Sequence, residues 1–245
     1  MKNKINIILT VLAAVLLVLG LYLLIKPYWQ NYLQDGKINE VLEEMGTVAT
    51  EQIEDSQEIA PVKEIEVTFS ADQYVVAGEE WEEFPSTQDT DTTATDDQNI
   101  VRVNTYARLD IPSIGFSMPV ADEATLYSLR ISIGHHASTA RIGAVGNAVL
   151  FGHRGYRTGR YFNEVHKIKP GDEIRIVTKD NTYIYEMVKS IDIDPSELWN
   201  KMKEPTDKAR VILVSCTPLK NTKNLNRGDL RILVYGELKK IIPLG

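Results

Sequence analysis

The chain has a single cysteine, Cys216, which closes the apolar run Arg210-Val-Ile-Leu-Val-Ser215 and precedes Thr217-Pro218. A cysteine can act as a nucleophile, and its reactive form is the thiolate. A free thiol is mostly protonated at neutral pH, so a neighbour must take the proton or hold the anion. Four histidines could do the former: His135, His136, His153 and His166. His153 follows a second apolar run, Ala148-Val-Leu-Phe-Gly152, and opens the loop Arg154-Gly-Tyr-Arg-Thr-Gly159. His135 and His136 adjoin Gly134 in a less regular stretch, and His166 lies among Phe162, Val165 and Ile168, where a packing role is expected. No HxxxH or CxxC spacing accompanies them, so neither a metal nor another cofactor is expected. These residue types support nucleophilic chemistry by a thiol with an imidazole as its proton acceptor. The rival reading of Cys216 is a small buried apolar residue.

The compartment bears on that choice. Ile5 to Ile25 is a 21-residue run without charge, interrupted only by Asn6, Thr10 and Gly20. At about 1.5 Å per residue such a helix crosses a hydrocarbon core of roughly 30 Å. Lys2 and Lys4 precede it, while Lys26 and then an acid-rich stretch follow, so the positive-inside rule predicts a cytoplasmic amino terminus and an extracellular remainder. A cleaved signal peptide is the rival, but the run exceeds the usual apolar length of about 7 to 15 residues, and no small-x-small site follows. Outside the membrane a lone cysteine has no internal disulfide partner, and an idle thiol is an oxidation liability.

The elements that would position these residues lie in the last part of the chain. Of the 34 acidic and 27 basic residues, positions 35–99 hold 19 and two, so the net charge of −7 comes from that segment while residues 100–245 are mildly basic. No basic stripe interleaved with aromatics appears, which gives no support for nucleic-acid binding. The expected division is 1–27 as cytoplasmic tip and transmembrane anchor, 28–99 as an acidic and partly disordered extracellular tether, and 100–245 as the folded domain. Within the tether, Ile38 to Met45 has apolar residues at helical spacing, and Ser86 to Asp97 is too polar to offset the entropy of ordering. From Tyr106 onward the rhythm is that of strands, at 106–111, 147–151, 173–178, 182–188, 210–215 and 230–235, with short helical pieces at 124–130 and 194–203. That pattern predicts an all-β domain, a closed or nearly closed barrel.

Three segments now form a set: Gly152-His153-Arg154-Gly155, Leu213-Val-Ser-Cys216-Thr-Pro218 and Leu230-Arg231-Ile-Leu-Val234. In order and spacing they resemble the signature segments of the sortases, membrane-anchored cysteine transpeptidases of Gram-positive bacteria. Leu109-Asp-Ile-Pro-Ser-Ile-Gly115 resembles the family's opening strand, and Val165 to Asp172 the turn after its histidine. The resemblance implies an eight-stranded β-barrel over about residues 105–240, with His153, Cys216 and Arg231 as catalytic residues. The family's Thr-Leu-x-Thr-Cys reads Ile212-Leu-Val-Ser-Cys216 here, so Ser215 keeps the second hydroxyl and the first is lost. Arg227, in a glycine-containing loop, competes with Arg231, whose following Ile-Leu-Val matches the family pattern better.

The resemblance further implies cleavage of a Leu-Pro-x-Thr-Gly-like sorting signal at Thr-Gly and transfer of the protein to an amine. The partners would be surface proteins or pilins and an acceptor, either a pilin lysine or a lipid-linked cell-wall precursor. Gly-His-Arg-Gly and Cys-Thr-Pro look most like class C, the pilin-joining sortases, although those usually carry a second membrane span and this chain ends at Ile241-Ile-Pro-Leu-Gly245. Class C lids pair an acidic residue with an aromatic before the barrel; Glu80-Trp81 could serve so here, but the Asp-Pro-aromatic pattern is absent and the preferred reading is a chance aromatic in a tether. Two other classes stay open: a membrane-tethered secreted cysteine hydrolase, and a ligand-binding β-barrel with no catalysis.

Overall fold

The computed structural model describes residues 2–46, 61–70, 100–155, 160–217 and 230–244. The Ser86–Asp97 stretch, the Glu80-Trp81 pair and Arg227 lie outside the described residues.

Among the described residues nine strands make one sheet: β1 (Ile65–Ser70), β2 (Ile100–Ile111), β3 (Phe116–Ala121), β4 (Ile133–His135), β5 (Gly146–Phe151), β6 (Glu173–Thr178), β7 (Asn181–Ile193), β8 (Ala209–Cys216) and β9 (Arg231–Pro243). They pair in the order β1-β2-β3-β4-β5-β8-β9-β7-β6, and β6 pairs again with β2. The pairings thus return on themselves as a ring of eight strands, barrel-like, with β1 added outside it. Strand β2 serves three partners by dividing its length: Ile100 to Thr105 lies against β1, and Ala107 to Asp110 lies between β3 and β6. A register shift between Thr105 and Ala107 marks the division.

Apolar side chains alternate between two clusters along the central strands. Every strand of the ring contributes to the larger one, for example Leu109, Met118, Ile133, Leu150, Leu213, Val234, Tyr185 and Ile176, so this cluster fills the ring's interior. The smaller one takes the intervening residues of β5, β8 and β9, Val149 and Phe151, Ile212 and Val214, Leu233 and Tyr235, together with Ile193 at the end of β7. It therefore lies on the outer face of β5, β8 and β9, and Leu198 and Met202 of the short helix α2 (Leu198–Met202) cover it together with Leu129. The period of two in the sequence becomes two opposed apolar faces. Full burial of such side chains stabilises the fold by about 1.5–3 kcal/mol each.

Before the sheet runs one long helix, α1 (Lys2–Glu44). Side chains from Ile7 to Ile25 along it are exposed, and the helix is long and apolar enough to cross a membrane. Its last turns differ. Gln34, Ile38, Val41, Leu42 and Met45 are buried, on the i, i+4, i+7 spacing of one helical face. The helix stops at Gly46, whose φ of 86° suits only glycine without strain, and the Met45 carbonyl then accepts from Lys63 N–H at 3.0 Å. The chain from there leads into β1, where Val67 and Phe69 join the main core.

The expected tether at 28–99 is therefore not all connector. The helix foreseen at Ile38–Met45 exists as the end of α1, and β1 lies inside the segment whose acid content argued for solvent. Its alternation, Ile65-Glu-Val-Thr-Phe-Ser70, explains this, because Glu66 and Thr68 face out while Val67 and Phe69 face the core. Strands β3 and β4 were also unforeseen. Pro119 interrupts the one, yet β4 pairs only with Val120 and Ala121, so β3 is paired on that side only where it has N–H groups to give.

Candidate functional site

Three rows of the outer face lead to the expected site residues. Strands β5 and β8 run parallel with Phe151 opposite Val214. The ladder continues past the strand end: Gly152 N–H donates to the Val214 carbonyl at 3.1 Å, and the fully buried Ser215 hydroxyl donates to the Gly152 carbonyl at 3.0 Å. Two residues beyond Phe151 and Val214 the chains reach His153 and Cys216. On the other side of β8, Cys216 is the direct cross-strand partner of Arg231 in antiparallel β9. By the period of two, His153 continues the row Val149-Phe151, Cys216 the row Ile212-Val214, and Arg231 the row Leu233-Tyr235. The structure thus brings the three together at one end of three adjacent strands.

Local packing fixes this end. A Cβ on Gly152 would meet Phe162 and Ile133 side-chain atoms at 2.7 Å, so only glycine lets the chain turn from β5 into the His153 segment. The His153 carbonyl accepts from Phe162 N–H at 2.8 Å, and its ring stands edge-on to Tyr161 with centroids 6.2 Å apart. His153 is 4% exposed, and Cys216 is partly buried. That burial pushes the Cys216 thiol pKa up, and the guanidinium groups of Arg231 and, less, Arg154 oppose it by favouring the thiolate. Arg154 Nη1 donates to the Thr217 carbonyl at 3.3 Å, which ties the residue after the histidine to the residue after the thiol. On the far side of Arg231, Asp194 keeps a low carboxyl pKa chiefly through hydrogen bonds from Ser196, with a smaller contribution from Arg231.

The other histidines have different surroundings. His135 lies between Tyr106 hydroxyl (2.8 Å, on Nδ1) and the Ala140 carbonyl (3.0 Å, on Nε2), and burial lowers its pKa. A carbonyl can only accept, so Nε2 carries the proton and Nδ1 accepts from the tyrosine. His136 packs against Phe151 and Trp199. Phe162, Val165 and Ile168 are buried as their spacing implies, but His166 itself is exposed, contrary to its expected packing role. Arg154 and Tyr161 were not singled out from the sequence. Arg154 had a signal in its place directly after His153, whereas nothing local marks Tyr161.

A thiol with an imidazole on one neighbouring strand and a guanidinium on the other has the equipment of a cysteine acyltransferase, carried on the outside of a barrel-like sheet. A family model described as the sortase domain matches residues 109–239, more than half of the sequence, and the chain belongs to the sortase family, whose members are cysteine transpeptidases. It is 26% identical over 131 residues to Sortase D of Bacillus subtilis, a match covering 53% of this chain and 61% of that protein. The chain spans about three fifths of the length of this and of another curated relative, Sortase A of Bacillus anthracis, at 26% identity. Among solved structures, sortase C-3 of Streptococcus pneumoniae superposes with a TM-score of 0.51 at 25% identity, covering 57% of this chain and 65% of that one. Sortase A of Listeria monocytogenes gives 0.50 at 25%, over 58% and 91%.

Proposed function

We propose that this protein is a membrane-anchored sortase on a closed eight-stranded barrel, which cleaves a Leu-Pro-x-Thr-Gly-like sorting signal at Thr-Gly and joins the new carboxyl end to an amine. The observation that carries the reading is the convergence of His153, Cys216 and Arg231 on the ends of adjacent strands. The Cys216 thiolate attacks the threonine carbonyl, forming a C–S bond, and His153 as imidazolium protonates the departing glycine amine as the C–N bond breaks. The acceptor amine then attacks the thioester, gives its proton to His153 and releases the thiolate. Arg231 stays protonated throughout, so its part is to donate hydrogen bonds to the substrate backbone or the tetrahedral oxyanion.

Lys2 and Lys4 favour a cytoplasmic amino terminus, which supports a sheet on the outer side of the membrane. The Trp29 and Tyr32 rings, 6.2 Å apart and exposed just after the apolar run, suit the aromatic belt at a bilayer surface. Surface proteins or pilins held at that face are the substrates this position favours, with a pilin lysine or a cell-wall precursor as the amine. The pilin reading draws on the Gly-His-Arg-Gly and Cys-Thr-Pro segments.

Mass spectrometry of the full chain in detergent, with sorting peptides and a panel of amines, tests the proposal. We expect a thioacyl adduct on Cys216, a peptide joined to the preferred amine, and loss of both products in Cys216→Ala and His153→Ala. Cleavage that persists in Cys216→Ala would refute the mechanism, and a product that is only ever the free acid would make the protein a hydrolase.

A further inference from the structure

The end of α1 reaches the loop that follows His153 through a buried polar junction. The Arg130 carbonyl accepts two hydrogen bonds, from Gln34 Nε2 of α1 at 2.6 Å and from the Tyr161 hydroxyl at 2.5 Å. Gln34, Arg130 and Tyr161 are each less than a tenth exposed, so these bonds form away from competing water. Beside them, Arg160 hydrogen-bonds Asn39 Oδ1 and lies 3.9 Å from the Asp35 carboxylate, both on α1. Tyr161 is the one described non-glycine residue with positive φ, 49°. That conformation is uncommon for a bulky side chain and persists where surrounding contacts over-determine it. Here the contacts run from helix to histidine: Gln34, the Arg130 carbonyl, the Tyr161 hydroxyl, then the Tyr161 ring edge-on to His153. The next residue, Phe162, donates its N–H to the His153 carbonyl.

We propose that Gln34 and Tyr161 are positioning residues, through which the helix leading out of the membrane span sets the orientation of the His153 ring. The proposal rests on the catalytic role of His153 given above. Proton transfer needs the ring held at hydrogen-bonding distance from the leaving amine, and small misplacements of a catalytic group are expensive in rate. On this proposal the junction acts on the imidazole ring and not on the bound peptide. Slackening it should therefore lower kcat and spare KM.

The full chain in detergent is assayed with a saturable peptide-and-amine reaction, and rates are expressed per titratable Cys216 thiol so that unfolded protein does not count. Tyr161→Phe removes one hydroxyl and leaves the ring. It should reduce kcat about tenfold with KM within twofold. Gln34→Ala should do the same, and the double variant should lose much less than the product of the two, because both bonds end on one carbonyl. Gln34→Glu, which cannot donate when ionised, should resemble Gln34→Ala, whereas Gln34→His, which keeps a donor, should recover part of the rate. Unchanged kcat in Tyr161→Phe and Gln34→Ala, with His153→Ala inactive, would overturn the positioning role alone. Full activity of His153→Ala would overturn the catalytic reading beneath it. Equal losses in every variant that simply track a lowered melting temperature would reduce the junction to a structural contact and also overturn the proposal.

Discussion

Two guanidinium groups lie close enough to the Cys216 thiol to favour its anion, and their duties can be separated by charge and by shape. Removing a positive charge destabilises the thiolate, so Arg154→Ala and Arg231→Ala should both move the pH profile of Cys216 alkylation upward, with Arg231→Ala moving it further because its influence is larger. Arg231→Lys keeps the charge and should leave that profile nearly in place. It loses the planar fork, however, and turnover should fall by about two to three orders of magnitude, the usual cost of one oxyanion donor. Alkylation rates at several pH values, set beside steady-state transfer, read both effects on the same preparations. A turnover loss in Arg231→Lys smaller than that in Arg154→Lys would shift the donor role to Arg154. The sequence exposes the first group and conceals the second's duty for a physical reason. Arg231 sits inside an apolar alternation whose direction can be counted, whereas Arg154 lies in a loop, and its closeness to the thiol depends on the Thr217 carbonyl across the site.

Strands that carry a regular alternation through to the site were legible from the residues: β6 was expected at 173–178 and found there, and β5, β8 and β9 were located within about a residue at the ends that matter. What escaped were elements whose pairing, rather than composition, makes them strands. Three-residue β4 is too short to have a period, and β1 has a period but lies in a segment whose acid content reads as solvated, so its place in the sheet shows only in the ladder Ile65↔Thr105 to Ser70↔Ile100. That ladder changes what a truncation should do. A fragment starting at residue 100 loses β1 and the apolar cap of Ile38, Val41, Leu42 and Met45, exposing Val101 and Val103, which are now buried. At about 1.5–3 kcal/mol for each apolar side chain fully uncovered, the loss is comparable with the roughly 5–15 kcal/mol that holds a whole domain together. We therefore expect the fragment 100–245 to melt well below the fragment 34–245 and to aggregate sooner, with 61–245 between them. Differential scanning fluorimetry on the three would test this, and equal melting temperatures would return residues 34–70 to the status of connector.

At the scale of the molecule, α1 is continuous from Lys2 to Glu44, and the first residue it buries, Gln34, comes two positions after the exposed Tyr32. The apolar run and the docked turns thus belong to one unbroken helix. On the proposed topology the sheet stands on a helical post of fixed height. Inserting seven helix-forming residues between Tyr32 and Leu33 would add about 10 Å to that post and nearly two full turns. Transfer from a freely soluble peptide should stay within twofold, whereas transfer from a substrate fixed to the bilayer by a short stalk should drop several-fold. Equal effects on both substrates, measured in the same lipid nanodiscs or vesicles, would argue that height is not set by α1. A stiff post also alters the way substrates are found. A thiol on a loose tether samples a volume, but one on a post patrols a plane, so encounters depend on molecules per unit area and on lateral diffusion in the bilayer. Diluting a suspension of cells would leave such encounters untouched, while crowding or stiffening the membrane would slow them.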